Sequence, residues 1–324
     1  MVELTSRRTL IIGILIAVNT AYFLSKRKNG KYGFFHIDLP DVVCFSPSKI
    51  AVPLEQLSFS TAVIVLICTL SHCLRKIIEE HVSDSLIRIL LQEAVVSADL
   101  CGCCFELIIV ADNFGIWMYG FYLFLLTIWW SNDWGNANGA PNVQLDDVVL
   151  GKQDLQLSLT KIWAQLTGGI FVYKLMQYIW SLELIENHEN RAYEDCTADL
   201  QVSALQGFLI EGGGTLVYQL ISKIINDMQP RYGTIIDSFI ATTFDRTGGY
   251  YNPVLATSHK FGCEGNTFKE HIFVYWFGTC LGSALSVFLY NHTPLKNVFI
   301  NKKTTKKTTT TDEQDIDGFW DKSD

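Results

Sequence analysis

Residues 247–258 read TGGYYNPVLATS. This stretch lies between two apolar segments, 232–246 and 270–290, at a point where the chain should be crossing a membrane. Asn252 followed by Pro253 is typical of a helix start. An asparagine side chain caps free N–H groups there, and a proline at the first helical position loses no hydrogen bond. The stretch therefore predicts a short helix that begins inside the membrane.

Composition indicates a membrane protein. The 324 residues are 49% hydrophobic, 13% aromatic and 18% charged, whereas soluble domains carry about 25% charged residues. The formal charge is -8 and no basic stripe interleaved with aromatic residues occurs in the sequence, so nucleic acid is excluded as a partner. Most of the nine cysteines fall in apolar runs, where a free cysteine behaves as a small hydrophobe, and their number leaves the redox compartment open.

Apolar runs that could cross about 30 Å of hydrocarbon occur throughout the chain. The candidates are 9–24, 57–75, 86–111, 114–131, 160–182, 201–223, 232–246 and 270–290. Segment 9–24 is a cleaved signal peptide, an uncleaved anchor or a segment that does not span, since Arg7 and Arg8 precede it and no clear cleavage site follows. The lysine-rich, threonine-rich tail 293–324 is predicted to be disordered and cytosolic, with the acidic loop 183–200 on the opposite side.

Two buried carboxylates reveal an internal repeat. Glu93 and Glu211 each lie inside an apolar run, where a carboxylate costs several kcal/mol unless it is paired or faces the protein interior. Each is followed four residues later by a hydroxyl residue, and then by a Pro-containing box. The first set is Glu93, Ser97 and Ala140-Pro141-Asn142, and the second is Glu211, Thr215 and Asn252-Pro253-Val254.

This correspondence predicts two copies of a three-span unit, at 85–182 and 183–292, after an N-terminal extension at 1–56 and an extra helix at 57–84. An odd number of spans makes the copies inverted, and paired interrupted segments point to a pathway at the midplane. Irregular backbone at that depth is tolerated where it is buried or lines a wet cavity.

The arrangement resembles the aquaporin (MIP) family, and more closely its unorthodox superaquaporins, the aquaporin eleven/twelve branch. The resemblance covers roughly 57–292, and its most specific piece is TGGYYNPVLATSHKFGC followed by FKEHIFVYWFGTCLG. It implies an all-α membrane bundle of two inverted repeats. Six transmembrane helices and two pore half-helices would follow one or two extra N-terminal helices. The implied function is passive passage of water or small neutral solutes such as glycerol or hydrogen peroxide, without a cofactor. A homotetramer in the lipid bilayer is implied too, most simply in the endoplasmic reticulum, with the plasma membrane as the alternative.

The resemblance also assigns residues, and this sequence departs from the family pattern at several of them. The pore boxes would be Ala140, Pro141, Asn142, Asn252, Pro253 and Val254. The loop-supporting acids would be Glu93 and Glu211. In the first box an alanine occupies the capping position and the amide has moved two residues on, so Asn142 is expected to turn away from the pore. Asn138 could compensate. Leu255 replaces the filter arginine, and the other filter positions fall on Gly249 and Ile240, which predicts an apolar constriction. Cys196 and Cys263 resemble a cysteine pair of the branch that would form a disulfide.

Other motifs admit alternative interpretations. Cys101 and Cys104 share a helix face, but small-residue packing is favoured over a metal site because the sequence shows no evident histidine or carboxylate partner. Gly212, Gly213 and Gly214 are better explained by helix packing than by a phosphate loop.

No set of nucleophile, base and orienting residue emerges, so an enzyme is not predicted. A secondary transporter or a non-conducting protein with a decayed pore are the competing functions.

Overall fold

A computed structural model of the chain describes residues 51–228 and 247–292. In these ranges the chain is helical and forms no strand. In chain order the helices are α1 Ala51–His81, α2 Ser85–Phe114, α3 Ile116–Asp133, α4 Pro141–Val149, α5 Leu155–Ser181, α6 Ala204–Met228, α7 Pro253–Lys260 and α8 Phe268–His292. Residues Ile272–Gly278 of α8 form a π-helical stretch, and Glu186–His188 form one 3₁₀ turn between α5 and α6.

Side chains at the helix starts explain several of these boundaries. The Asp84 carboxylate accepts hydrogen bonds from the backbone N–H groups of Leu86 and Ile87 and so starts α2. Asp154 does the same for α5 through the N–H of Leu157. At α8 the sequence carries a capping box, in which Thr267 and Glu270 each satisfy the other's backbone N–H. The boundaries therefore follow from local hydrogen bonding as well as from the apolar pattern.

The predicted apolar runs within the described ranges coincide with long helices. Within 51–228 and 247–292, three helices are both long enough and apolar enough to cross a membrane, namely Leu54–His81, Ser85–Phe114 and Phe268–His292. Helices α3, α5 and α6 occupy the other predicted runs. The predicted segment 9–24, the run 232–246 and the tail 293–324 lie outside the described residues.

The closest approaches between helix backbones occur at two corresponding places in the fold. A Cβ atom added at Gly168 of α5 would clash with the backbone carbonyl of Ala94 in α2, the residue after Glu93. A Cβ atom at Gly282 of α8 would clash with the carbonyl of Gly212 in α6, the residue after Glu211. In both places the two helix backbones touch directly. Among the three consecutive glycines, Gly212 and Gly214 face close neighbours and Gly213 faces open space.

Helix α1 precedes the first of these helix pairs and packs along α2. Gly102 of α2 lies against Ile67 of α1. Near its first turns, Gln56 donates a hydrogen bond to Glu186 at 3.1 Å. Near its other end, Arg75 forms an ion pair with Asp133, the last residue of α3. The extra helix is thus fastened to the rest of the described fold at both ends. It begins at Ala51, before the boundary at 57 that the sequence predicts.

Candidate functional site

The N-termini of the two short helices meet in the interior. Asn252, just before α7, has an extended backbone, and its side-chain oxygen accepts hydrogen bonds from the N–H of Val254 at 2.9 Å and of Leu255 at 3.4 Å. Ala140, just before α4, has nearly the same backbone dihedral angles but makes no side-chain cap. Pro141 and Pro253 occupy the first helical position in both. The two boxes therefore share a backbone shape and differ in capping.

Reciprocal hydrogen bonds join the two boxes. The Asn252 side-chain nitrogen donates to the Gly139 carbonyl at 3.0 Å. The Asn142 side-chain nitrogen donates to the Tyr251 carbonyl at 3.3 Å. Gly139 and Tyr251 are the residues immediately before Ala140 and Asn252, so the two bonds end at corresponding carbonyls. Although its amide has moved two residues along the chain, Asn142 reaches the opposite loop.

Glu93 and Glu211 hold the two loops in matching ways. One Glu93 oxygen accepts from the backbone N–H groups of Asn138 and Gly139 at 3.4 and 3.3 Å. The Glu211 carboxylate accepts from the N–H groups of Tyr250 at 3.3 Å and Tyr251 at 3.0 Å. Both carboxylates are at most 1% exposed. Each contacts the two residues before its box, which is the backbone contact implied for these acids.

Glu93 is surrounded by further polar groups, which the sequence did not predict. Gln144 and Gln165 each donate to its carboxylate at 2.9 Å, and the Lys161 ammonium lies 3.8 Å from it. The available signal was the occurrence of Lys161 and Gln165 inside the apolar run of α5. Asn138 does not replace the missing cap, because its side-chain oxygen accepts from the N–H of Ala140 and from Gln144 and not from the first turn of α4. Around Glu211 the added donor is the Thr247 hydroxyl at 2.7 Å.

The predicted filter positions are only partly described. Leu255 is half-buried and packs against the apolar core, while Val254 beside it is fully buried. Gly249 has a φ of 56°, which a glycine adopts without strain. Ile240 lies outside the described residues.

The far end of α7 is fixed to the loop that precedes α6. Cys196 and Cys263 are paired as a disulfide with Cα atoms 4.8 Å apart, within the usual range for such a bond. Two backbone hydrogen bonds lie beside the pair, from Glu264 to the Cys196 carbonyl and from Ala198 to the Glu264 carbonyl, both 2.8 Å long. The buried Lys260 ammonium lies 2.6 Å from the Asp199 carboxylate.

Comparison with known proteins identifies this arrangement. No family model matches the chain. Aquaporin-12 of Mus musculus is 30% identical over 233 residues, which cover 66% of this chain and 80% of that protein. The chain belongs to the aquaporin family. Aquaporin-11 of Milnesium tardigradum is 26% identical over 230 residues, 69% of this aquaporin and 82% of the relative. This protein is thus of the aquaporin-11 and aquaporin-12 type, as its sequence predicts.

A solved structure supports the fold of this aquaporin. The X-ray structure of the aquaglyceroporin from Plasmodium falciparum matches it with a TM-score of 0.53 at 15% sequence identity, covering 66% of this chain and all of that one. At that identity the match concerns the fold alone. Together with the aquaporin relatives and the apolar helices, this makes the protein a multi-pass membrane protein built of helices.

Proposed function

We propose that this aquaporin is a passive channel for water and small neutral solutes, with its pathway at the junction of α4 and α7. The observation that carries the proposal is the pair of reciprocal hydrogen bonds from Asn142 and Asn252 to the opposite loops. They hold two helix N-termini against each other inside the bundle. The aquaporin relatives support a channel and give no support to an enzyme.

Two facing helix N-termini favour neutral solutes. Each N-terminus carries partial positive charge and backbone N–H groups, so a cation that approaches the junction is repelled from both sides. A neutral molecule with a hydroxyl group meets donors and no net charge. The proposed solutes are therefore water, glycerol and hydrogen peroxide. The proposed layout is that of the family: six spanning helices and two half-helices in two inverted repeats, 85–182 and 183–292.

Osmotic swelling of proteoliposomes tests the pathway. Asn252→Ala removes the cap of α7, at a cost of about 1 kcal/mol, together with the bond to Gly139, and we expect it to abolish swelling. The matched control is Asn132→Ala, since Asn132 is exposed and donates to the nearby Ile128 carbonyl. Unchanged permeability of a correctly inserted Asn252→Ala protein would place the pathway elsewhere.

Leu255 is proposed to set the selectivity of the constriction. Leu255→Arg introduces a fixed cation and a larger side chain, so we expect it to reduce glycerol or peroxide passage more than water passage. Leu255→Met keeps an apolar side chain and serves as the control. Equal reductions for all three solutes would show that Leu255 does not line the constriction.

A second candidate is a non-conducting protein of the same fold. The side-chain amides of Asn142 and Asn252 each donate a hydrogen bond to the opposite loop, and the two residues are only 1% and 7% exposed. Buried, mutually bonded loops of this kind are also expected of a junction that is closed to solutes. Swelling rates of wild-type liposomes no higher than those of protein-free liposomes would favour it. A homotetramer and residence in the endoplasmic reticulum are further proposals that rest on the family resemblance.

A further inference from the structure

We propose that Cys68, Cys103 and Asp99 form a zinc site that fastens α1 to α2. Cys68 lies on α1, and the other two lie on α2. One candidate ligand atom from each residue falls within 4.8 Å of the others, and all three residues are buried. The site is independent of the proposed channel function. It also differs from the pair Cys101 and Cys104, which share a face of α2 alone.

Two of the three distances between the ligand atoms suit tetrahedral zinc. With Zn–S bonds of about 2.3 Å and a Zn–O bond of about 2.0 Å, a tetrahedral site puts two sulfurs about 3.8 Å apart and a sulfur and an oxygen about 3.5 Å apart. The Cys68 and Cys103 sulfurs are 3.7 Å apart. The Cys103 sulfur is 3.6 Å from the Asp99 Oδ1 atom. The third edge, from the Cys68 sulfur to the Asp99 carboxylate, reaches up to 4.8 Å, so it must close to about 3.5 Å when zinc binds.

The second oxygen of Asp99 has a partner of its own. The Trp134 indole N–H donates to Asp99 Oδ2 at 3.0 Å, which leaves Oδ1 turned toward the thiols. Metal-binding carboxylates are commonly oriented by such an outer hydrogen bond. Ser71, three residues after Cys68 on the same face of α1, lies near the carboxylate without the geometry of a hydrogen bond. Among the described residues the cluster offers three ligand atoms, so a water molecule would complete the tetrahedron.

The charge at the cluster also suits a divalent ion. When zinc binds, both thiols release their protons to water, and two thiolates plus a carboxylate exceed the ion's charge by one. Arg75, which is paired with Asp133, also interacts electrostatically with Asp99 and so counters part of that excess.

Metal analysis of the full chain, purified in detergent under a non-chelating reductant, tests the site. After loading with zinc and desalting, the wild type should retain about one zinc per chain. Cys68→Ser and Cys103→Ser should retain none. Cys73→Ser is the matched control, because Cys73 lies on the same helix but is exposed, and it should behave as wild type. Trp134→Phe should bind zinc at least about tenfold more weakly.

Cobalt gives a readout that needs no variant. Loaded wild-type protein should show thiolate-to-cobalt charge-transfer absorption, and its absence would overturn the proposal even where a variant failed to fold. Zinc retained equally by Cys68→Ser and Cys73→Ser would overturn it too. So would a disulfide between Cys68 and Cys103 in protein isolated without reductant, since that bond would consume both ligands.

Discussion

Asn142 and Asn252 show that one amide can perform two separable tasks. Asn252 caps α7 with its oxygen and bonds the opposite loop with its nitrogen. Asn142 performs only the second task, and its side-chain oxygen has no hydrogen-bond partner in the described part of the chain. The first repeat therefore keeps the contact between loops and loses the helix cap. An uncapped buried helix start costs stability that a single substitution could restore.

Ala140→Asn is expected to stabilise the protein by about 1 kcal/mol. Ala140 already has the extended backbone of a capping residue, with φ and ψ of -133° and 114°, close to the -140° and 116° of Asn252. Thermal unfolding in detergent should show a higher midpoint. Ala140→Val adds volume without a cap and is the control. If both variants unfold at the same temperature, the new side chain does not cap α4.

At the scale of helices, close backbone contact fixes how the bundle packs. Gly282→Ala would press a methyl group into the Gly212 carbonyl, and overpacking of this kind costs about 1–3 kcal/mol. Gly213→Ala places its methyl group in open space on the neighbouring helix α6 and should raise stability slightly, by about 0.5–1 kcal/mol, because alanine favours a helix over glycine. Unfolding temperatures of the two variants measure the difference. Equal temperatures would mean that α6 and α8 are free to separate.

The disulfide between Cys196 and Cys263 is a second prediction at this scale. Cleavage after Arg191, Lys223, Lys260 and Lys269 should release peptides 192–223 and 261–269 as one joined species in the absence of reductant. Mass mapping under oxidising conditions detects that species. Recovery of both peptides alkylated, from material that was never reduced, would rule the bond out. Free thiols elsewhere, such as the exposed Cys73, give an internal standard for alkylation.

At the scale of the whole molecule, the family resemblance predicts an intracellular membrane. Surface biotinylation of intact cells should recover only a small part of the protein, with most labelled only after permeabilisation. The paired lysines Lys302-Lys303 and Lys306-Lys307 are followed by a further polar stretch, so they do not form a C-terminal dilysine signal. Recovery of most of the protein from intact cells would contradict the prediction.

Local signals made much of this architecture predictable. Pro141 and Pro253 mark the starts of the short helices because proline fits the first helical position, and the structure begins α4 and α7 at those residues. Glu93 and Glu211 stand out because carboxylates are costly in apolar runs. These features depend on neighbours in sequence, which the order of residues displays directly.

The contacts that the sequence did not predict join residues that lie far apart along the chain. Asn142 and its acceptor Tyr251 are 109 positions apart, and Cys68 and Cys103 are 35 apart on different helices. Which faces of two helices meet depends on their rotation and crossing, which no local pattern specifies. For the same reason Gln165 could be recognised as polar in an apolar run but not as a partner of Glu93, 72 positions away.

The short link between α1 and α2 has a consequence for biosynthesis. Residues 82–84 alone separate His81 from Ser85, and the two helices pack along each other. A chain is synthesised from its N-terminus, and domains form in that order. These two helices can therefore enter the bilayer together as a hairpin before either short helix has been translated. The carboxylate of Glu93 would then reach the membrane interior ahead of the loop amides that it later binds, and α1 would shield one side of α2 from lipid during that interval.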